Sequence, residues 1–359
     1  FCVRKCSYCD FLSAPATEQT REAYMAALFA EIGGRAKDYS DRTVTSIFIG
    51  GGTPSLLSGE QIGQLMDRIR EQFAMAQDAE ITMEVNPGTA SAEKLRNFYT
   101  AGINRLSIGM QSAQAEELKN LGRIHDFEGF CQVYREAVEA GFTNINVDIM
   151  SGLPGQTLAS YRDTLEKVLH LEPMPQHISA YSLIVEEGTP FAAMAERGEL
   201  PLPEEETERA MYEETIEVLA KYGFHRYEIS NYARDGYECR HNVGYWIRRD
   251  YLGFGIGAAS LIDNVRFQNE KSLGAYLAHP LESREEEQTL TVQDRMEETM
   301  FLGLRLTRGV SCVDFAEQYG RTVEEVYGEV IARNVADGLL TVTERKENQK
   351  KDRFLALTK

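Results

Sequence analysis

With 359 residues, of which 43% are hydrophobic and 26% charged, the chain has ordinary globular composition and enough length for about two domains. Its 38 basic against 56 acidic side chains give a formal net charge of -18, which repels polyanions and argues against nucleic acid as a partner. No apolar run reaches the roughly 20 residues that cross a bilayer and no signal-peptide pattern opens the chain, so a soluble, cytoplasmic protein is expected.

Three of the six cysteines crowd into the first nine positions, as Cys2-Val3-Arg4-Lys5-Cys6-Ser7-Tyr8-Cys9. The C-x3-C-x2-C spacing is too tight for a disulfide framework and suits one metal centre in a reducing compartment. Thiolate is the ligand iron–sulfur clusters require, and three thiolates leave one corner of a cubane open. Structural zinc would need a fourth ligand, for which Asp10 or a distant His is available. Because Phe1 directly precedes the first cysteine, the chain is expected to be a piece trimmed at its N-terminus, and at its C-terminus as well.

From residue 44 to about 182, short β-branched runs alternate with amphipathic helical stretches at intervals of about 30 residues, as βα units do. Strand 44–49 runs into Gly50-Gly51-Gly52-Thr53-Pro54, after which Ser58 and Glu60 open a helix with apolar Ile62, Leu65, Met66 and Ile69. Further strands are expected at 81–85, 105–108, 145–149 and 177–181, followed by a helix at 205–222 and a Gly-rich stretch at 252–259. Polar residues stand just past the strands, namely Glu84, Asn86, Gln111, Asp148 and Ser182, at the end where α/β barrels collect their active sites. The period changes after the charged segment 279–287, where helical patterns at 297–304 and 323–337 and a strand at 353–357 suggest a small separate unit.

In sum, the chain resembles radical S-adenosylmethionine (SAM) proteins, and within them the oxygen-independent coproporphyrinogen III oxidase-like group. The matching pieces are the cysteine motif with Asp10-Phe11, Gly50–Pro54, Glu84-Val85-Asn86-Pro87, Ser107-Ile108-Gly109-Met110-Gln111-Ser112, Asp148-Ile149, the run from Gly152 to Thr157, and His241-Asn242-Val243-Gly244-Tyr245-Trp246. The resemblance implies an α/β fold, a partial TIM-type (β/α)6 barrel over residues 1–278, followed by a winged-helix-like α+β domain over 285–359. It implies a [4Fe-4S] cluster on Cys2, Cys6 and Cys9, with SAM chelating the open iron. Gly51 would lie against SAM, Glu84 would accept hydrogen bonds from its ribose, and Tyr8 would lie near the adenine. Gly52, Thr53, Gln111, Arg123 and Asp148 match positions that hold a second SAM in related enzymes.

The oxidases of this group carry another cysteine two positions after the third, where this chain has Phe11. Cys-Asp-Phe and the His-Asn-x-x-Tyr-Trp motif resemble the haem-chaperone branch instead. The resemblance implies haem as ligand, with His241 as axial donor and Tyr245 and Trp246 as flat apolar faces. Arg240, Arg248 and Arg249 would meet its propionates, and Cys239 is a rival ligand. The partner would be a haem-acceptor protein, membrane-associated or not, without membrane insertion by this chain, and a cluster-dependent dimer is compatible with that role. The alternatives are a catalytic radical SAM enzyme acting on a porphyrin and a purely structural iron–sulfur or zinc protein.

Other signals stay structural. Gly253-Phe254-Gly255-Ile256-Gly257 has the wrong spacing for a dinucleotide site and points to tight packing, Cys131 and Cys312 read as buried thiols, and Glu204–Glu206 as a helix N-terminus.

Overall fold

Along the central strands, successive side chains meet opposite environments, and this alternation builds the scaffold. In a computed structural model, which describes residues 1–282, 284–347 and 350–358, strands β1 (Thr43–Ile49), β2 (Ala74–Val85), β3 (Arg105–Gln111), β4 (Ile145–Ser151) and β5 (His177–Ser182) pair in parallel in chain order. Ile81, Met83, Val85, Leu106, Ile108, Val147 and Ile149 face outward into one apolar core with the flanking helices, meeting Ile62, Met66, Phe98, Phe130, Leu165 and Leu219. The alternate residues, Thr82, Ser107, Asn146, Asp148, His177 and Ser179, line the concave side.

Two short strands finish this curled half-barrel. β6 (His225–Arg226) and β7 (Asn231–Ala233) form a hairpin whose return strand, β7, pairs antiparallel with β5, giving the order β1-β2-β3-β4-β5-β7-β6. β6 therefore runs in the direction of the first five strands but is separated from them by β7.

The crossover helices start where short side chains cap them. Ser58 forms a capping box with Gln61 at the head of helix Gly59–Gln72, and Thr157 does so with Ser160 at helix Leu158–Leu169. The 252–259 glycines serve packing. A Cβ on Gly253 would stand 2.3 Å from the Ala259 carbonyl oxygen, and Gly255, at φ +96°, donates its N–H to buried Glu31. Glu31 also holds Arg35, Asn269 and Tyr276, tying helix Glu18–Arg35 to strand Val265–Asn269.

Beyond the half-barrel, β8 (Ala259–Ile262), β9 (Val265–Asn269) and β10 (Arg284–Thr289) form an antiparallel sheet. The expected boundary at 285 thus falls inside a strand that pairs with β9. A separate apolar cluster of Met296, Cys312, Phe315, Val323 and Leu355 is built from three helices and the sheet β11 (Val310–Ser311), β12 (Leu340–Glu347) and β13 (Lys350–Leu357). Ser283, Asn348, Gln349 and Lys359 of this region lie outside the described residues. Among the described residues no helix is long and apolar enough to cross a membrane.

One carboxylate links the two regions. Helix Arg240–Trp246 ends in a Schellman pattern whose left-handed position is Arg248, at φ +54°, where glycine is usual. The Arg248 side chain compensates by pairing with buried Glu298 at 2.8 Å, and Arg266 holds the other oxygen at 2.7 Å. Burial alone would raise the Glu298 pKa, but the two guanidinium groups outweigh it and hold the carboxyl below its usual range. Its stabilising contribution is therefore complete above the ordinary carboxylate pKa and is lost as pH falls through the depressed value. Glu298→Ala leaves Arg248 buried and unpaired and should destabilise the protein by about 3–5 kcal/mol in urea unfolding at neutral pH. An unchanged midpoint would show that the pair does not hold the two regions together.

Candidate functional site

The cysteine loop is pinned to the C-terminal rim of the half-barrel by backbone hydrogen bonds. Phe1 O accepts from Thr53 N at 2.8 Å, Cys2 N donates to Ala14 O, and Ser7 donates to Leu121 O at 3.0 Å while accepting from Phe191 N. Gly52 permits this approach, since a Cβ there would lie 2.8 Å from Phe1 N. The Arg4 guanidinium donates to Gly122 O at 2.6 Å. Phe11, where the oxidases have a cysteine, is 53% exposed.

Around the rim stand the polar residues expected there. Glu84 ends β2 on the concave side and accepts the Gly51 N–H at 3.2 Å. Burial first, then nearby Asp148, raises its pKa from 4.5 to about 8, against the opposing Gly51 N–H. Asp148 accepts from Asn146 Nδ2 at 2.7 Å and from Ser107 Oγ at 3.2 Å. Gln111 sits in the left-handed region, φ +71°, at an irregularity in the β3–β4 register, and accepts from the Tyr181 hydroxyl at 2.9 Å. A non-glycine residue held so at the end of a strand marks stored strain at a site. Arg123 donates to Gly109 O at 2.6 Å and reaches Cys6 Sγ at 3.9 Å. The Tyr8 phenol, its pKa pushed up by burial, feels the charges of Arg123, Cys6, Cys9 and Asp148.

These residues fit an iron–sulfur cluster with a polar ligand beside it. All three thiols are free, and two receive hydrogen-bond donors: Thr53 Oγ1 lies 3.3 Å from Cys2 Sγ, and Arg123 approaches Cys6. Donors to sulfur stabilise thiolate and tune a cluster's potential. No three His, Cys, Asp or Glu side chains among the described residues converge as one bare ion requires. Open space faces Gly51, at φ +89°, and Arg123 Nε and His125 Nδ1 are buried without partners.

The expected haem residues do not share one surface. His241 turns toward the sheet, stacking on Phe48 with centroids 5.1 Å apart; Nδ1 meets Ser46 Oγ at 3.3 Å and Nε2 meets the Tyr245 hydroxyl at 3.0 Å. Burial lowers its pKa to about 4 despite Glu80, so the imidazole is neutral at physiological pH. Trp246 lies instead under Arg305, 4.3 Å from the ring centroid, with its Nε1 buried and unpartnered. Arg240 is committed to Asp78 and Arg248 to Glu298, leaving Arg249 the most weakly engaged of the three, 3.5 Å from Thr45 Oγ1. Cys239 is fully buried against Glu80, and burial raises its pKa to about 11, so it stays a thiol.

Sequence reading missed Glu80, whose carboxylate accepts the backbone N–H groups of Arg240 and His241, both at 3.2 Å, and so seats the motif helix. It also missed Tyr181 and Asn146 and gave Ser107 only as part of a matching run, without a role; polar residues recurring every second position along β2 to β5 were the available signal.

Residues 1–168 match the model of the radical SAM superfamily and residues 290–346 that of the HemN C-terminal domain. Coproporphyrinogen III oxidase (HemN) from Escherichia coli, a radical SAM enzyme, superposes with a TM-score of 0.84 at 27% identity, covering 99% of this chain and 84% of that one. Fold and rim together define a radical SAM protein of the HemN type. Sequence similarity narrows this further: heme chaperone HemW of Bacillus subtilis is 39% identical over 95% of this chain and 90% of its own length, and that of Escherichia coli is 36% identical over 95% and 89%. The chain belongs to the HemW family.

A protonated Glu84 leaves a signature in ligand-free, cluster-loaded protein. Its folded pKa lies above its unfolded one, so the folded state binds the extra proton and stability falls as pH rises between about 5 and 8. Glu84→Gln is neutral throughout and should gain in unfolding temperature over the parent as pH rises across that window. Parallel profiles would rule the buried acid out.

Proposed function

We propose that the chain is a haem chaperone: it holds a [4Fe-4S] cluster on Cys2, Cys6 and Cys9, takes SAM at the rim, binds haem, and passes haem to an acceptor protein. Kinship with the HemW family supports this reading, and the observation that carries it is the pinned cysteine loop, with three free thiols over a mouth of polar side chains. When bound, the cluster would supply an open iron and a reducing electron. Gly51, Gly52, Thr53, Glu84, Gln111, Arg123 and Asp148, with Tyr8, would hold SAM. The Gly51 peptide offers close approach, Glu84 and Asp148 accept hydroxyl or ammonium donors, and Arg123 pairs with carboxylate.

For haem, His241 would offer a neutral nitrogen once the Tyr245 hydroxyl gives way at Nε2, while Tyr245 and Trp246 provide aromatic faces. The second reading, a porphyrin-converting enzyme, draws on the structural likeness to coproporphyrinogen III oxidase. Phe11 at the cysteine-loop exit favours the chaperone.

Anaerobic reconstitution should give about four irons and four sulfides per chain, lost when the three cysteines are replaced by serine. Loaded protein supplied with SAM and coproporphyrinogen III should yield no protoporphyrinogen, and product formation would support the enzyme instead. Because His241 carries no proton at neutral pH, haem affinity should stay flat from about pH 6 to 8 and weaken only toward the imidazole pKa near 4. His241→Ala should shift the Soret band of the haem complex; an identical band and affinity would remove His241 as axial ligand.

A further inference from the structure

The concave face of the half-barrel carries a charge that the chain does not answer. Arg105 opens β3, is 2% exposed, and its guanidinium forms no hydrogen bond or ion pair with any described residue; its Nε is buried without a partner. Beside it, Thr82 is its register partner across β2 and β3, is 0% exposed, and its Oγ1 is likewise unpartnered. Both belong to the alternate set that faces inward, since their neighbours Ile81, Met83 and Leu106 lie in the outer core. A buried guanidinium and a buried hydroxyl, side by side and both unsatisfied, call for an acceptor with negative charge.

The chain's own anions do not serve. The Glu80 oxygens take the N–H groups of Arg240 and His241 and the Cys239 thiol, and Asp148 takes Asn146 and Ser107. The other polar groups of the lumen satisfy one another: His177 Nδ1 meets Asn146 Oδ1 at 2.6 Å and Nε2 meets the Tyr227 hydroxyl at 2.9 Å, while Ser179 donates to Asn146 and Asn231. The Arg105 charge reaches Asp148, His177, His241 and Cys239 without pairing with any of them.

We propose that Arg105 and Thr82 form the floor of a carboxylate-binding subsite inside the half-barrel, below the rim where Glu84, Gln111 and Asp148 stand. A carboxylate matches the planar donor fork of arginine and accepts the threonine hydroxyl at the same time. The strand from Arg105 to Gln111 spans roughly 20 Å, so the occupant extends down from the rim, with the long arginine side chain shortening the gap. This inference rests on the proposed function, of whose two ligands haem carries propionates free to reach the floor, while the methionyl carboxylate of SAM is taken at the rim by the open iron and Arg123.

The test titrates cluster-loaded wild type, Arg105→Lys, Arg105→Gln and Thr82→Val with haem, haem dimethyl ester, SAM and decarboxylated SAM. For the occupant, wild type should lose roughly tenfold to a hundredfold in affinity when the carboxylate is masked or removed. Arg105→Gln should bind both forms alike, Arg105→Lys should restore part of the difference, and Thr82→Val should reduce it. In the haem pair a difference that depends on Arg105 identifies a propionate, while in the SAM pair all four proteins should discriminate alike, because the open iron and Arg123 hold that carboxylate at the rim. If wild type binds haem and SAM but the four proteins discriminate haem from its dimethyl ester equally, the subsite is overturned and the proposed function stands. If wild type binds neither ligand, both fall. Should Arg105→Gln fail to fold, Thr82→Val and Arg105→Lys still decide the matter.

Discussion

Docking of nine residues against the rim of a parallel sheet is the constraint on which the rest depends. The loop has no regular structure of its own; it is held by main-chain bonds from Phe1 to Thr53, Cys2 to Ala14 and Ser7 to Leu121 and Phe191. Thr53 follows β1, Leu121 follows β3 and Phe191 follows β5, so the cysteines are fixed only when the sheet has closed its curve. Gly52 admits the Phe1 backbone and Gly51 leaves its face open, which gives the glycine run two separate duties. A metal centre built this way reports on the whole half-barrel.

The concave side differs from a filled barrel core. Where a closed (β/α)8 barrel stacks branched aliphatic layers, this half-barrel lines its lumen with Thr82, Arg105, Ser107, Asn146, His177 and Ser179. Ser107, Asn146, Asp148, His177 and Ser179 form a connected network beside the unpartnered Thr82 and Arg105, and helix Arg240–Trp246 packs on the same sheet through Glu80, Ser46 and Phe48. The His-Asn-x-x-Tyr-Trp segment is thereby coupled to the sheet on one side and, through Arg248 and Glu298, to the C-terminal region on the other. A change at the motif would be felt at both.

The parallel sheet and its rim were legible because short β-branched runs alternate with amphipathic helical stretches, and because turn residues follow the strands, the glycines after β1 above all. The hairpin of β6 and β7 was not, since two or three residues are too few to display a period. β10, Arg284–Thr289, escaped because all six of its residues are exposed and it carries no apolar face. Glu80 stands one residue before an expected strand and Arg105 at the start of another, and it is the pleat of β2 and β3 that turns both inward. The haem motif was visible as a motif, but its placement depends on tertiary contacts, which send His241 toward Phe48 and Trp246 beneath Arg305.

Everything chemical in this account requires a cluster with one iron left for a small ligand. The most direct measurement is the electron paramagnetic resonance spectrum of the reduced, reconstituted protein recorded with and without SAM. SAM should shift the cluster's g-values in the parent protein, and Glu84→Ala should weaken the titration. A spectrum unmoved by saturating SAM would mean that the three thiolates hold a closed, structural centre.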